Sequence, residues 1–250
     1  MPVAIPSIFV IGAMRALTIL LLSLTSLAAQ TVVALDGYHN NESKMPDHYQ
    51  WDGTRMGGFS EFGKMLRANG ANELRTLRNK IDGASLSGVH MLIIVDPDTP
   101  SETVDPKYIE ASEIDAITTW VKQGGRLILL GNDKGNAEFE HLNRLATTFG
   151  IEFVEATYPK VTGKGILIAS GSHPIFGNGL SIYMVEVAPL RLTGAAKPVL
   201  VDQGTNIMAL AQSGQGLVFA VGDPWIYNEY IDHKDNRQVA TNVVRLLLNR

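Results

Sequence analysis

The chain has 250 residues, a net charge of −4 at neutral pH and no cysteine. The missing thiols exclude a cysteine nucleophile, a disulfide framework and a lipid anchor on a lipoprotein cysteine, so core burial alone must hold the fold. A mildly acidic chain without a long basic run is a poor partner for nucleic acid.

Residues 1–29 read as a secretory signal. Met14-Arg15 opens it, Ala16 to Leu24 forms its apolar core, and Ser26-Leu27-Ala28-Ala29 supplies the small-residue end, with cleavage expected near Ala28 or Ala29. Met14 is a second candidate start. The apolar run is shorter than the roughly 20 residues of a membrane span. Because residues 1–29 hold one base, Arg15, and no acid, their removal takes the charge from −4 to −5. The expectation is an exported protein, periplasmic or secreted, free of the membrane after cleavage. No low-complexity segment, internal repeat or Pro/Ser-rich linker divides the rest, so residues 30–250 are expected to form a single domain.

Strand and helix signals then alternate. Thr31 to Leu35 is a strand run, followed by a polar loop and a helix carrying Phe59, Phe62, Met65 and Leu66 at helical spacing, closed by Asn69-Gly70. Glu73 to Leu77 and Met91 to Val95 are further strands. Ser112 reads as the N-cap of a helix with Glu113 and Asp115 in its first turn and Ile114, Ile117 and Val121 as its buried stripe. Arg126 to Leu130 leads through Asn132–Asn136 into a helix with Phe139, Leu142, Leu145, Ala146 and Phe149 on one face. This alternation predicts an α/β fold with a mainly parallel sheet covered on both faces. From Ile151 onward, short runs at Ile151–Val154, Ile166–Ala169, Tyr183–Val187, Pro198–Val201, Ile207–Ala211 and Leu217–Val221, parted by Gly, Pro and Asn, predict an antiparallel C-terminal extension. An amphipathic helix from about Asn236 through Val239, Val243, Leu246 and Leu247 closes the chain.

The polar residues of unusual chemistry follow the strand runs directly. Asp36, His39, Asn40, Asn41 and Glu42 follow the first; Asp96 and Asp98 follow Val95; Asn132, Asp133 and Asn136 follow Leu130; Asp223, Trp225, Tyr227, Asn228 and Glu229 follow Val221. Ligands bind open parallel sheets outside the carboxyl ends of the strands, so the four clusters predict one shared site. His48, Tyr49, Trp51, Asp52, Glu138 and His141 join it as binding candidates. Tyrosine and tryptophan faces suit pyranose rings flanked by Asn and Asp. Paired carboxyls suit glycoside hydrolysis, where one must hold its proton as a general acid, with a polysaccharide lyase as the other enzymatic expectation. Lys44, Arg55 and Lys134 are the only bases near these loops, which favours a neutral sugar over an acidic one. No cofactor is expected, with zinc or calcium on His39, His48 and His141 beside Asp and Asn as the lesser alternative. His39, His48 and His141 lack zinc spacing, no calcium loop occurs, and the Gly-Lys segments at residues 131–135 and 163–165 lack the Walker pattern.

The order of elements resembles the class I glutamine-amidotransferase-like superfamily, a flavodoxin-like three-layer sandwich. Gly131-Asn132-Asp133-Lys134-Gly135 stands where that superfamily carries its Gly-x-Cys-x-Gly nucleophile turn, and Gly222-Asp223-Pro224-Trp225 where it carries His-Pro-Glu. Without Cys or His at those places, glutamine hydrolysis is closed to this chain, and Asp133 and Asp223 inherit the positions as the expected catalytic pair. Asn40, Asn132 and Asn228 would orient hydroxyls, and Trp51 and Trp225 would stack. A second resemblance covers nearly all of residues 30–250. Asn40-Asn41-Glu42, His48-Tyr49-x-Trp51-Asp52, Asp96-Pro97-Asp98-Thr99, Asn132-Asp133-Lys134-Gly135-Asn136 and Trp225-x-Tyr227-Asn228-Glu229-Tyr230 together look like an uncharacterised bacterial domain found beside unsaturated rhamnogalacturonyl hydrolases. That resemblance implies pectin-type oligosaccharide as ligand or substrate. Its alternative implication is a non-catalytic module whose partner is a glycoside hydrolase.

Overall fold

The computed structural model describes residues 1, 30–42, 45–159, 165–168, 173–177 and 179–248. The expected signal segment and Lys44 lie outside them. The strands and helices are β1 (Val32–Asp36), α1 (Ser60–Ala68), β2 (Glu73–Leu77), β3 (Val89–Val95), α2 (Ala111–Lys122), β4 (Arg126–Leu130), α3 (Phe139–Ala146), β5 (Ile151–Phe153), β6 (Gly165–Ile168), β7 (Ile182–Val185), β8 (Leu190–Leu192), β9 (Lys197–Asp202), β10 (Thr205–Ser213), β11 (Gly216–Val221) and α4 (Asn236–Leu248).

Strands β2, β1, β3, β4 and β11 lie side by side in that order, all parallel. This is the flavodoxin-like winding, which reverses between β1 and β3. Past β11 the sheet turns antiparallel: β10 pairs with β11, β9 and β8, and β8 pairs with β5. A separate hairpin joins β6 to β7. The C-terminal extension is therefore antiparallel as expected, while its last strand, β11, returns to the centre as the fifth parallel member.

Strand alternation builds the three layers. Val33, Leu35, Met91, Ile93, Ile128, Leu130 and Phe219 point to one face, where Phe62 and Leu66 of α1 and Val239, Val243 and Leu247 of α4 cover them. Val32, Ala34, Leu92, Ile94, Leu127, Leu129 and Val218 point to the other, under Ile117 and Val121 of α2 and Leu142 and Leu145 of α3. A central parallel strand covered on both sides must be apolar throughout, and Met91 to Val95 are all buried. Removing one such group, as in Phe62→Ala, costs about 3–5 kcal/mol.

Helix α2 opens two residues earlier than Ser112 suggests. Glu110 is its N-cap in extended backbone, and Glu113 Oε2 accepts the Glu110 N–H at 3.1 Å. The side chain that closes this box also reaches into the site, which sets the helix start there. The strand Leu190–Leu192, too short to read as a run, is added by pairing with β5 and β10.

Two glycines set the chain direction before the site loops. A Cβ on Gly131 would stand 2.7 Å from the Phe153 ring, and one on Gly222 would stand 1.9 Å from the Ala188 carbonyl oxygen. Only glycine lets β4 and β11 leave the sheet this close to their neighbours.

Candidate functional site

The first cluster is a hydrogen-bonded knot. Asp36 Oδ1 accepts the N–H groups of Tyr38 at 2.9 Å and His39 at 3.1 Å, and Asp36 Oδ2 lies 2.7 Å from His39 Nδ1. His39 Nε2 lies 3.5 Å from Glu113 Oε2. All three side chains are buried. Burial alone would lower the His39 pKa, but the Asp36 and Glu113 carboxylates outweigh it and raise it to about 10. His39 is thus an imidazolium bonded through Nδ1 to Asp36, with Nε2 facing the Glu113 carboxylate at ion-pair distance but without a hydrogen bond.

The knot sets the next residues. Asn40 Nδ2 donates to the Asp96 carbonyl at 3.0 Å, and the Asn41 N–H donates to Asp98 Oδ2 at 2.6 Å. Glu42 Oε2 meets His48 Nδ1 at 3.0 Å, and the His48 ring stacks on Tyr49 at 3.9 Å. These bonds strap the loop after β1 to the loop after β3. Burial first, then the charges of Glu102, Glu42 and Asp36, raises Asp98 to about 7 despite the Asn41 bond.

The centre of the edge holds three buried acids from adjacent strand ends: Asp96 after β3, Asp133 after β4 and Asp223 after β11. Asp96 sits in the left-handed region at φ 44°, a strain of about 1–3 kcal/mol that surrounding structure must maintain. Its Oδ2 accepts from Asn132 Nδ2 at 2.9 Å, and its Oδ1 has no protein partner. Burial pushes the Asp96 carboxyl well above the usual range, against the Asn132 amide and the Tyr49 hydroxyl that favour its charge and with help from Glu102 and Asp98. Asp223 is pushed the same way by burial and then by the charges of Asp96 and Asp133, and its Oδ1 also lacks a partner. Asp133 is fully held: Oδ1 accepts from Asn136 at 2.5 Å and Oδ2 from Thr157 Oγ1 at 2.7 Å. The buried Tyr49, itself left-handed at φ 51°, has its hydroxyl in the field of Asp96, Tyr227 and Asp223, which with burial raises its pKa.

Other candidates are spent on the fold. Trp51 packs on Phe59 and Phe62 and donates Nε1 to the Arg75 carbonyl at 3.1 Å. Trp225 is buried in the core against Phe62, Phe219 and Val243, with Nε1 unpartnered. Asn228 Oδ1 accepts the Glu61 N–H at 3.0 Å at the start of α1, and its Nδ2 donates to the carbonyls of Gly53 at 2.9 Å and Arg55 at 2.8 Å. Glu229 is half-buried with its N–H on the Met56 carbonyl, and Asp52 is exposed.

Glu138 caps α3, accepting the His141 N–H at 3.0 Å and meeting His141 Nδ1 at 3.0 Å. With Glu140 these groups place one donor each within 4.8 Å, the one such cluster among the described residues. Cap, ring contact and the Glu140–Arg144 ion pair at 2.5 Å already use them. The three central aspartates do not form a cluster of that spacing.

Sequence reasoning misses two members. Glu113 reads as an ordinary first-turn acid, and nothing marks Thr157. Both act across long separations that periodicity does not encode.

No protein-family model matches the chain, and no curated protein matches it. Solved structures do. The N-terminal domain of mmIFT52 is 17% identical with a TM-score of 0.71, the match covering 88% of this chain and 98% of that one. A putative GMP synthase subunit from Thermoplasma acidophilum is 12% identical at TM-score 0.52, covering 87% and 94%. An exo-beta-1,4-mannosidase from Opitutaceae bacterium strain TAV5 is 18% identical at TM-score 0.51, covering 88% of this chain but 36% of that one. At such identities the likeness is one of fold, a three-layer α/β sandwich.

Proposed function

We propose that this chain is an exported carbohydrate-active protein that binds a neutral stretch of a plant-polysaccharide oligosaccharide, of rhamnogalacturonan type, at the carboxyl edge of its sheet, and hydrolyses it with buried carboxyls. The observation that carries the reading is the pair of unpartnered carboxyl oxygens on Asp96 and Asp223, buried beside Asp133 at three adjacent strand ends. Buried acids with raised pKa values and one oxygen left without a partner are candidates for acid–base chemistry. Asp223 and Asp133 occupy the positions that the superfamily resemblance marks, and the resemblance to the domain beside unsaturated rhamnogalacturonyl hydrolases supplies the substrate class.

A neutral sugar fits better than a uronate. Arg55 is held by Asp47 through two bonds at 2.7 and 2.6 Å, and Lys134 is exposed on its loop. Described cations near this edge are therefore few, which favours a neutral sugar.

A second reading has its own observation. Trp51, Trp225 and Asn228 serve the core, and the three aspartates are almost fully buried. A fold whose polar edge is largely self-satisfied suits a binding or assembly module for a glycoside hydrolase, and the same fold forms part of a longer mannosidase chain. Titration calorimetry of residues 30–250 with neutral and acidic pectic oligosaccharides tests the binding site, and product release from the same set separates a hydrolase from a module that only binds. Saturable binding of a neutral oligosaccharide, lost in Tyr227→Ala, supports the site; no binding across the set favours an assembly module.

A further inference from the structure

We propose that Asp96 and Asp223 are the working carboxyl pair of the edge, and that Asp133 is a positioning residue. This rests on the hydrolytic reading for its chemistry, though its geometry stands apart from it.

Partner accounting comes first. Both Asp133 oxygens are filled, by Asn136 and Thr157, and its N–H is held by Asn132 Oδ1 at 2.9 Å. A carboxylate so held is fixed in place, with its bonding capacity directed into the protein. Asp96 and Asp223 each keep one buried oxygen that bonds nothing. An unmet buried acceptor is costly, so it persists where something else maintains it.

Backbone strain marks one member of the pair and its neighbour. Asp96 and Tyr49 are both left-handed, at φ 44° and 51°, and the Tyr49 hydroxyl lies in the field of both Asp96 and Asp223. Neither residue gains the freedom glycine would have there. Asn132, standing where the superfamily resemblance places the nucleophile turn, bonds Asp96 Oδ2 and so fixes which oxygen of Asp96 stays free.

The surroundings then dictate protonation. Asp223 faces the charges of Asp96 and Asp133, and Asp96 those of Glu102 and Asp98, with Asn132 the neutral donor and Tyr49 and Tyr227 the adjacent hydroxyls. Both carboxyls are buried and the charge of Asp96 opposes ionisation of Asp223, so the pair is assigned one shared proton. During hydrolysis the protonated member gives that proton to the glycosidic oxygen as its bond to the anomeric carbon breaks. The ionised member takes a proton from water, whose oxygen bonds the same carbon. One water is consumed, and the pair ends with the single proton it began with.

The test is a carboxyl carbon-13 NMR titration of residues 30–250, free and as Asp223→Asn, Asp96→Asn and Asp133→Asn, with turnover of the oligosaccharide panel measured on the same samples. Coupled titration of Asp96 and Asp223 is expected, with Asp223→Asn moving the Asp96 midpoint down by about one pH unit or more. An Asp96 midpoint unmoved by Asp223→Asn overturns the pair. Turnover is expected to fall about 100-fold or more in Asp96→Asn and Asp223→Asn, and far less in Asp133→Asn. The reverse order overturns the assignment. Coupled titration in a protein that turns over nothing leaves the pair standing and removes the hydrolytic reading instead.

Discussion

The Asn132 side-chain amide donates to Asp96 Oδ2 at 2.9 Å, joining the loops after β3 and β4 beneath the candidate site. This bond favours the ionised form of Asp96 against the burial that opposes it. In Asn132→Ala the Asp96 pKa is expected to rise further, because the one amide stabilising its charge is gone. Stability is expected to fall by about 1–2 kcal/mol. Carboxyl NMR and urea unfolding measure the two effects, and an Asp96 pKa that falls contradicts the assigned bond.

The buried His39 imidazolium sets a pH limit on the fold. Its pKa is raised in the folded state to about 10 from 6.5, so the folded chain binds the proton more tightly than the unfolded chain. The stabilisation is complete below pH 6.5 and is lost as pH climbs toward about 10. Unfolding free energies measured across that range are expected to decline. His39→Ala, which strands Asp36 and Glu113 in the interior, is expected to lose about 3–5 kcal/mol at pH 6.

Asp98 acts in a different window. Its pKa is raised from 3.8 to about 7, so the folded state again binds the extra proton and stability falls as pH rises between those values. Asp98→Asn keeps an oxygen for the Asn41 N–H but never ionises. It is expected to be more stable than the parent at pH 8 by about 2 kcal/mol, with the slope between pH 4 and 7 reduced. An unchanged slope in thermal or urea unfolding contradicts the assignment.

Asn228 separates fold from ligand binding. Both ends of its amide are bonded to the start of α1 and to the carbonyls at residues 53 and 55. Asn228→Ala is expected to lose about 2 kcal/mol of stability, while a folded sample keeps its oligosaccharide affinity by calorimetry. A large loss of affinity without loss of stability would return Asn228 to the ligand.

The strand ends were legible because a covered parallel strand has to be apolar along its length. The polar residue that breaks a run such as Met91–Val95 then marks the sheet's edge. Asp36, Asp96, Asp133 and Asp223 could be placed together on that ground alone. Side-chain direction was not legible. Trp225 follows a proline turn that drives it under α4 rather than outward, and Trp51 meets Phe59 and Phe62 only because α1 folds back over β1. Glu113 reaches His39 across 74 positions of sequence, a contact set by the packing of α2 on the sheet. Which carboxyl oxygens remain free depends on Thr157 and Asn132, whose bonds no spacing rule contains.

The most direct measurement is product release by residues 30–250 from a panel of pectic oligosaccharides, neutral and acidic, saturated and unsaturated, with Asp223→Asn run beside it. Cleavage of a neutral linkage that disappears in the folded Asp223→Asn protein is the expected result. Absence of product from every member, or cleavage that survives Asp223→Asn, would contradict a hydrolytic site at the carboxyl edge.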